Sequence, residues 1–297
     1  MQPYAPLGTL YAAAVARQPG HEVALHDVML ADGPGSISPV LHSFKPEVLV
    51  IYDDGFNYLT KMCLTNMREA AFEMSTMART AGCRIILSSS DSTDHYGEYL
   101  QRGADYVMMG EAEQTLLELL RAIDNNEPVN SIAGIAYKNG DNTIRNAPRP
   151  VNTMLDALPN PAWDLVDINA YRDAWMKSAG YFSMNMGTTR GCPYKCNWCA
   201  KPIYGNRYNA RSPQHVVAEL KQLYNAYHFD HIWFCDDIFG LKPGWVKEFA
   251  QLLKEAGLKF RFKIQSRADL LLKDAQIAPL ADAGWERVWM GADSGSQ

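Results

Sequence analysis

Three cysteines stand within eight residues of this chain, in the run Thr-Arg-Gly-Cys-Pro-Tyr-Lys-Cys-Asn-Trp-Cys-Ala. Cys192, Cys196 and Cys199 have the spacing C-x3-C-x2-C, and Trp198 directly precedes the last of them. Three thiolates on one short loop can hold three corners of a cubane iron–sulfur cluster and leave the fourth iron open to another ligand. Electron-transfer ferredoxins differ, because four cysteines close their clusters. The triplet therefore indicates a [4Fe-4S] cluster with one open iron.

The triplet has two other interpretations, a zinc site and a disulfide. Zinc needs four ligands, and its sites are usually recognised from two separated pairs of residues. Here a fourth ligand such as Cys235 or His231 would have to come from a distant part of the chain. A disulfide is disfavoured because the remaining cysteines are scattered and no secretory signal is evident. Cys63 and Cys83 are assigned no role.

Length and composition restrict the class of protein. The 297 residues predict two domains, and the hydrophobic content of 47% is ample for two cores. The net charge of −5 gives no electrostatic reason to expect a nucleic acid as a partner. No apolar run approaches the roughly 18 residues that mark a membrane-spanning helix. With six cysteines and no secretory signal, the expected location is a reducing compartment, the cytoplasm.

The first half of the chain alternates the patterns of strands and helices. Strands are predicted at His21–Val28, Glu47–Asp53, Cys83–Ser89 and Asp105–Met109. The alternation predicts an α/β fold with a parallel, doubly wound sheet, and ligands of such sheets lie at the carboxyl ends of the strands. The small, polar or glycine residues at these ends are Asp53, Ser88, Ser89, Gly110 and Glu111. Each loop taken alone is also explained as an ordinary solvated connection.

The second half has the pattern of βα repeats in a barrel. Strands are predicted at Phe182–Met186, His231–Cys235, Phe260–Gln265 and Val288–Met290. Ser212 and Pro213 predict the start of a helix between the first two strands. Active sites of such barrels lie at the carboxyl ends of the strands. The polar residues at these ends are Asp236, Asp237, Ser266, Arg267 and Asp293.

The cysteine spacing and the adjacent aromatic residue resemble the radical S-adenosylmethionine (radical SAM) superfamily. In that family the open iron binds the amino and carboxylate groups of S-adenosylmethionine, and one electron cleaves the sulfonium to give a 5′-deoxyadenosyl radical. The resemblance implies that Asp236 and Asp237 receive the methionine ammonium, while Ser266 and Arg267 contact its carboxylate or the ribose. Asp293, where the family usually has glutamate, would bond the ribose hydroxyls. Trp198 would lie near the adenine.

These residues also have plain structural interpretations. Asp237 is also explained as a helix N-cap. Arg267 is typical of a surface ion pair, and Trp198 of a residue that fills the barrel mouth.

Two segments of the first half look like the cobalamin-binding domain that precedes many radical SAM cores. One is Pro6-Leu7-Gly8 at the start of a helix, and the other is Gly-Ala-Asp-Tyr-Val-Met-Met-Gly-Glu-Ala-Glu at 103–113. The motif Asp-x-His-x-x-Gly, whose histidine ligates cobalt in the methionine-synthase type, does not occur in the sequence. The resemblance implies a cobalamin held by Pro6, Leu7, Gly8, Asp53, Ser88, Ser89, Gly110 and Glu111.

The resemblance also implies a domain order. Residues 1–126 would form a Rossmann-like cobalamin-binding domain, residues 127–178 a hairpin and a proline-marked linker, and residues 179–297 a radical SAM core. That core is typically a partial (βα)6 barrel, and about four βα units are recognisable here. The first strand of the Rossmann-like domain has no counterpart. We therefore expect the sequence to be truncated at both ends.

The implied function is that of a cobalamin-dependent radical SAM methyltransferase, acting on an unactivated centre of a small-molecule substrate. Its expected cofactors are a [4Fe-4S] cluster, S-adenosylmethionine and cobalamin, and its expected electron donor is a flavodoxin or ferredoxin. One alternative is an anaerobic oxidative cyclase of the magnesium-protoporphyrin monomethyl ester type. Another is a sensor that binds cobalamin or a cluster without turnover.

Overall fold

The computed structural model describes residues 2–53, 55–56, 63–197, 199, 203–273 and 276–291. The strands are β1 Val48–Tyr52, β2 Arg84–Ser88, β3 Tyr106–Met108, β4 Ile135–Asn139, β5 Asn142–Arg145, β6 Ser183–Met186, β7 Thr189–Arg190, β8 Asn209–Ala210, β9 His231–Phe234, β10 Arg261–Gln265 and β11 Trp285–Trp289. They form a five-stranded sheet, a four-stranded sheet and a two-stranded ribbon. The mixed α/β class predicted from the sequence is confirmed.

Helices alternate with these strands along most of the chain. They are α1 Leu7–Arg17, α2 Ser38–Phe44, α3 Leu64–Thr80, α4 Ser90–Asp94, α5 Tyr96–Gln101, α6 Glu113–Asp124, α7 Ile168–Ala179, α8 Pro213–Tyr227, α9 Trp245–Glu255, α10 Ala268–Leu272 and α11 Ile277–Asp282. Short 3₁₀ turns cover Val28–Leu30, Pro34–Ile37, Leu155–Ala157 and Trp163–Leu165. None of the helices in the described ranges is long and apolar enough to cross a membrane.

The first sheet has the order β1-β2-β3-β4-β5, and its first three strands are parallel. Successive side chains of a strand point to opposite faces, so both faces of a strand buried on each side are apolar. In β2, Ile85 and Leu87 pack against α2, α3 and α5, whereas Ile86 packs against α1 and α6. Helices therefore cover both faces, as in the doubly wound arrangement predicted from the sequence.

The segment His21–Val28 is not a strand, contrary to the prediction. Residues 21–27 carry no regular structure, and a 3₁₀ turn begins at Val28. Val23 and Leu25 are only partly buried against the cores. A strand needs a neighbouring backbone to satisfy its amide and carbonyl groups. Residues 21–27 do not pair with β1, whose edge away from β2 carries no strand among the described residues.

The predicted hairpin around Asn139-Gly140 is confirmed as β4 and β5. It does not stand apart, because β4 pairs antiparallel with β3 and thereby extends the first sheet. Asn146 fixes its return strand, since its side-chain amide donates to the carbonyls of Val129 and Ile132, at 2.8 Å each.

The second sheet consists of four parallel strands in the order β11-β10-β9-β6. One face packs on α8 and α9 through a core that includes Phe234, Phe262 and Phe249. Ser212 caps α8 as predicted, because its hydroxyl accepts a hydrogen bond from the amide of His215. With all four strands parallel, their carboxyl ends lie along one edge of the sheet.

Helix α1 joins the two sheets. Leu7, Leu10 and Tyr11 pack into the core of the second sheet, whereas Ala12 and Ala16 pack against the first. The small side chains of these alanines let α1 lie close to the first sheet. Helix α1 therefore contributes to both cores and helps to fix the orientation of the two sheets.

Candidate functional site

The cysteine loop follows β6 at the carboxyl edge of the second sheet. Its two ends are tied together by the ribbon of β7 and β8, in which Thr189 pairs with Ala210 and Arg190 with Asn209. Arg211, just after β8, is buried and forms an ion pair with Glu219 of α8. The loop that carries the three cysteines therefore has a fixed base, and this base is anchored in the core.

Gly191 is the residue through which the chain turns into the cysteine loop. Its φ angle is +79°, in the left-handed region that side chains disfavour. A Cβ atom built there would collide with the carbonyl oxygen of Arg207, on the returning side of the loop. The backbone thus passes too close to itself for any residue other than glycine. The Arg-Gly-Cys order is explained by this approach.

The three thiols are the donor set that a cluster requires. Cys192 is half-buried, and Cys196 and Cys199 are exposed, with the amide of Cys199 donating to the carbonyl of Cys196 at 3.3 Å. The described residues contain no group of three or more metal-ligating side chains gathered close enough to hold a metal ion. The chemistry of the set and its exposure therefore fit a cluster, while a preformed cage is not seen among the described residues.

The distant residues considered as a fourth zinc ligand lie elsewhere. His231 begins β9 at the opposite edge of the sheet, and its Nδ1 lies 2.8 Å from the hydroxyl of Ser183. Burial lowers the pKa of His231 to about 3, helped by the nearby charge of Lys263. Cys235 is buried, and its thiol donates to the carbonyl of Met186. Among the described residues neither side chain joins a group that could hold a metal ion, so the zinc interpretation gains no support.

Asp236 lies at the carboxyl end of β9, as predicted, but its carboxylate is turned into the protein. It accepts hydrogen bonds from the amides of Thr188 and Thr189, at 2.6 and 2.8 Å, and from the hydroxyl of Thr188. Burial raises the pKa of Asp236 to about 7, against the effect of these donors. Asp236 thus fixes the segment between β6 and β7, directly before the cysteine loop. Its neighbour Asp237 is exposed.

Ser266 and Arg267 follow β10 at the same edge. The hydroxyl of Ser266 is buried and donates to the carbonyl of Phe239 at 3.2 Å. The guanidinium of Arg267 lies 4.1 Å from the ring centroid of Tyr194, between the first two cysteines of the loop, and it also pairs with Asp269. Arg267 is therefore brought to the cysteine loop. The other two predicted S-adenosylmethionine contacts, Trp198 and Asp293, lie outside the described residues.

The residues predicted to hold cobalamin are gathered at the carboxyl edge of the first sheet. The amide of Asp53 donates to the carbonyl of Ser88 at 2.9 Å, which joins the ends of β1 and β2. Ser89 is used as the N-cap of α4 in a capping box with Ser92. Gly110 has a φ of +73° and open space where a Cβ would stand. This open strand end is compatible with a bulky ligand that approaches the backbone.

Pro6, Leu7 and Gly8 lie at the start of α1, beside this edge. The hydroxyl of Thr9 donates to the carbonyl of Tyr52, the last residue of β1, at 2.6 Å. Leu7 and Gly8 are buried, and Pro6 is half-buried. The predicted segment is thus next to the strand ends, although most of its side-chain surface is already covered.

The carboxyl edges of the two sheets contact one another. A Cβ atom built at Gly187, just after β6, would lie 2.9 Å from the ring of Phe56, just after β1. A Cβ built at Gly55 would lie 2.8 Å from Ile203 in the loop beyond the cysteines. Ligands bound at the two edges would therefore be close neighbours.

An ion-pair network at this contact was not predicted. Arg190 pairs with Glu111 and, at 2.7 Å, with Glu113, and the three side chains are 4%, 6% and 6% exposed. The second oxygen of Glu111 accepts from the amide of Asn152 at 2.6 Å. Its carboxylate is thus already used within the protein. One signal was present in the sequence. Arg190 lies in the cysteine run, Glu111 and Glu113 lie in the run 103–113, and both runs were recognised as motifs.

Comparison with known proteins agrees with this geometry. Residues 186–297 match the family model described as Radical SAM superfamily. An uncharacterized methyltransferase of Pyrococcus horikoshii is 26% identical over 98% of this chain and 61% of its own length. The anaerobic magnesium-protoporphyrin IX monomethyl ester cyclase of Synechocystis is 24% identical over 97% of this chain and 56% of its own length. The chain thus spans about six-tenths of the length of these relatives.

The fold also matches a solved structure. The cobalamin-dependent S-adenosylmethionine radical enzyme OxsB, with aqua-cobalamin and S-adenosylmethionine bound, superposes with a TM-score of 0.78 at 17% identity. The match covers 99% of this chain and 42% of that one. Both halves of the chain, and not only the segment with the cysteines, therefore share the fold of that structure.

Proposed function

We propose that the protein is a radical SAM enzyme that cleaves S-adenosylmethionine reductively and transfers a methyl group, since residues 186–297 match the family model of the radical SAM superfamily. The proposal includes cobalamin as a second cofactor and a small molecule with an unactivated centre as the substrate. The reducing partner would be a flavodoxin or ferredoxin, and the reaction would take place in the cytoplasm.

One observation carries the proposal. The fixed cysteine loop of the second sheet lies against the carboxyl edge of the first sheet, through the contacts of Gly187 with Phe56 and of Arg190 with Glu111. Parallel α/β sheets bind their ligands at such edges. Two edges that meet could therefore hold two cofactors with a substrate between them.

The chain's own residues have distinct tasks in this proposal. Cys192, Cys196 and Cys199 hold the cluster, and Asp236 fixes the backbone before them through Thr188 and Thr189. A cluster with one open iron and bound S-adenosylmethionine supplies the radical chemistry, and cobalamin supplies a methyl carrier. Arg267, beside Tyr194, offers a cation for the methionine carboxylate.

The first sheet is the proposed site of cobalamin. We assign residues 1–126 to a Rossmann-like domain, 127–178 to a hairpin and linker, and 179–297 to a partial barrel. Support comes from the open strand end at Gly110 and from the bound cobalamin named for OxsB, whose fold both halves share. The methyl-transfer reaction is supported by the name of the Pyrococcus relative.

A second candidate function is compatible with the same fold. The Synechocystis relative is named as a cyclase of magnesium-protoporphyrin IX monomethyl ester, and it is nearly as similar to this chain as the methyltransferase. Oxidative cyclisation would use the same cofactors without methyl transfer. The two reactions are separated by the products formed from a substrate, and in particular by the appearance of S-adenosylhomocysteine.

The proposal is tested with the full-length protein purified without oxygen, supplied with iron, sulfide and hydroxocobalamin. Visible spectra report cluster and cobalamin, and 5′-deoxyadenosine is assayed after addition of dithionite and S-adenosylmethionine. We expect both cofactors and deoxyadenosine formation. Both cofactors without deoxyadenosine would favour the sensor, and zinc in place of iron would refute the cluster.

The substitution Cys196→Ala gives the decisive control. We expect it to abolish the cluster and all cleavage of S-adenosylmethionine, because three thiolates are needed to hold the cubane on one loop. Hydroxocobalamin should still bind, since its proposed site is on the first sheet. Cys63→Ala is the matched variant, because Cys63 is an exposed cysteine outside the loop. Cleavage that survives in Cys196→Ala would contradict the assignment.

A further inference from the structure

Arg190 occupies the junction between the two sheets and the cysteine loop. It ends β7, and only Gly191 separates it from Cys192. Its guanidinium reaches across to Glu111 and Glu113, which lie between the end of β3 and the first turn of α6. The partners are 79 and 77 residues away in sequence. A residue at the base of the cysteine loop is thereby held by the edge of the first sheet.

The side chains around Arg190 hold its guanidinium in one position. The guanidinium lies within 5.3 to 5.7 Å of the ring centroids of Tyr204, Tyr11 and Phe56. Two of these rings belong to α1 and the end of β1, and Tyr204 belongs to the cysteine loop. A planar fork held by two carboxylates and enclosed by rings has one favourable position. Displacement of either sheet edge would therefore displace the guanidinium.

The charges of Arg190, Glu111 and Glu113 strengthen the link between the cysteine loop and the first sheet. One guanidinium faces two carboxylates, so the buried group carries a surplus negative charge when all are ionised. Burial raises the pKa of Glu111, although the attraction of Arg190 opposes this. Buried charges separated from their partner cost several kcal/mol each. The network therefore resists any shift of the first edge that is not followed by the loop.

We infer that Arg190 is a positioning residue that couples the two cofactor sites, so that cobalamin at the first sheet and the cluster at the second stabilise each other's binding. The inference rests on the proposed function. Glu111 directly follows Gly110, at the strand end where cobalamin is proposed, and Arg190 sets the backbone that leads to Cys192. A ligand that orders one edge therefore orders the other, which is a coupling free energy between two sites.

The test compares the affinity of hydroxocobalamin for the full-length protein before and after reconstitution of the cluster. In the wild type we expect binding to tighten by about fivefold or more on reconstitution, the usual size of such coupling. Glu113→Gln leaves Arg190 with one carboxylate, and Arg190→Lys keeps the charge but loses the fork. In both variants the ratio of the hydroxocobalamin affinity after reconstitution to the affinity before it should fall to near one. Unfolding midpoints verify that each variant is folded.

Arg149→Lys is the matched control. Arg149 is also a partly buried arginine paired with a glutamate of α6, Glu118, and it donates a hydrogen bond to Thr115 of the same helix. It should keep the wild-type ratio. Equal affinities before and after reconstitution in the wild type would overturn the coupling alone. A ratio that persists in both Glu113→Gln and Arg190→Lys would also overturn it. Absence of cobalamin binding in every form would refute the cobalamin part of the proposed function as well.

Discussion

Asp236 shows how a single buried carboxylate can serve a binding loop that it does not enter. Two backbone amides and one hydroxyl converge on it, so the chain between β6 and β7 cannot shift without leaving buried donors unpaired. The sequence indicates a carboxylate at this strand end and suggests the methionine ammonium as its partner. The structure gives it three protein donors, which no pattern along the chain reveals.

The raised pKa of Asp236 predicts a pH dependence of stability. Its folded value is about 7 and its reference value 3.8, so the folded state binds more protons than the unfolded state between these values. The contribution of Asp236 to the free energy of unfolding should therefore fall as pH rises from about 4 to about 7, whereas His231, whose folded pKa is about 3, contributes a rise between about 3 and 6.5. In Asp236→Asn, the amide oxygen can still accept from both backbone amides and the nitrogen can donate to Thr188. The slope of unfolding free energy against pH should therefore be less negative, or more positive, in Asp236→Asn than in the wild type.

Urea unfolding of both proteins across this pH range measures the effect. Glu111, whose pKa is raised, and His231, whose pKa is lowered, contribute to the pH dependence of both proteins, so the difference between the two slopes reports Asp236. Ser266→Ala removes a buried hydroxyl at the end of the next strand and serves as the control, because it changes stability without changing its pH dependence. An unchanged slope in Asp236→Asn would show that the carboxylate is ionised throughout.

The cysteine loop is an element whose base, rather than its tip, is determined by packing. The ribbon of β7 and β8 brings its ends together, and the positive φ of Gly191 allows the crossing next to Arg207. We expect Gly191→Ala to cost about 1–2 kcal/mol for the backbone conformation and about 1–3 kcal/mol more for the collision. The amount of iron that the loop binds on reconstitution should fall in parallel.

Gly205→Ala is the matched substitution for this prediction. Gly205 lies in the same loop at a φ of +64°, but a Cβ there would meet nothing within 4 Å. Only the conformational cost of about 1–2 kcal/mol applies to it. Chemical denaturation and iron content measure both variants. Equal losses of stability and iron in the two would mean that the approach to Arg207 is not what demands glycine.

Local elements were largely predictable because their signals are local. The apolar runs of β2 and β9 and the Ser212-Pro213 start of α8 act through neighbouring residues, and the structure confirms them. The segment 21–28 failed because a strand is stable only with a partner backbone, which a pattern of side chains does not supply. The positions of the cysteines, Asp236 and Arg267 at one edge were predictable, since parallel strands share that edge.

At the scale of the whole molecule, the contacts between the two sheets decide how the site is assembled. The pairing of Arg190 with Glu111 and Glu113 was not predictable, because it joins residues far apart in sequence whose types alone give no register. The same holds for α1, whose alternate faces pack into two different cores. Long-range complementarity of this kind appears only when both sheets are folded.

The ion-pair network of Arg190, Glu111 and Glu113 predicts that removing only the arginine destabilises the protein more than replacing all three charged side chains. In Arg190→Met two carboxylates remain buried without their cation, which should cost about 3–5 kcal/mol of unfolding free energy. Adding Glu111→Gln and Glu113→Gln to this variant removes the uncompensated charges, so about half or more of the loss should be recovered. Urea denaturation of the wild type and both variants provides the measurement. Arg149→Met, which breaks a more exposed pair within the first half, should cost less than Arg190→Met. If the triple variant were less stable than Arg190→Met, the network would hold the sheets together through its hydrogen bonds and shape rather than through balanced charge.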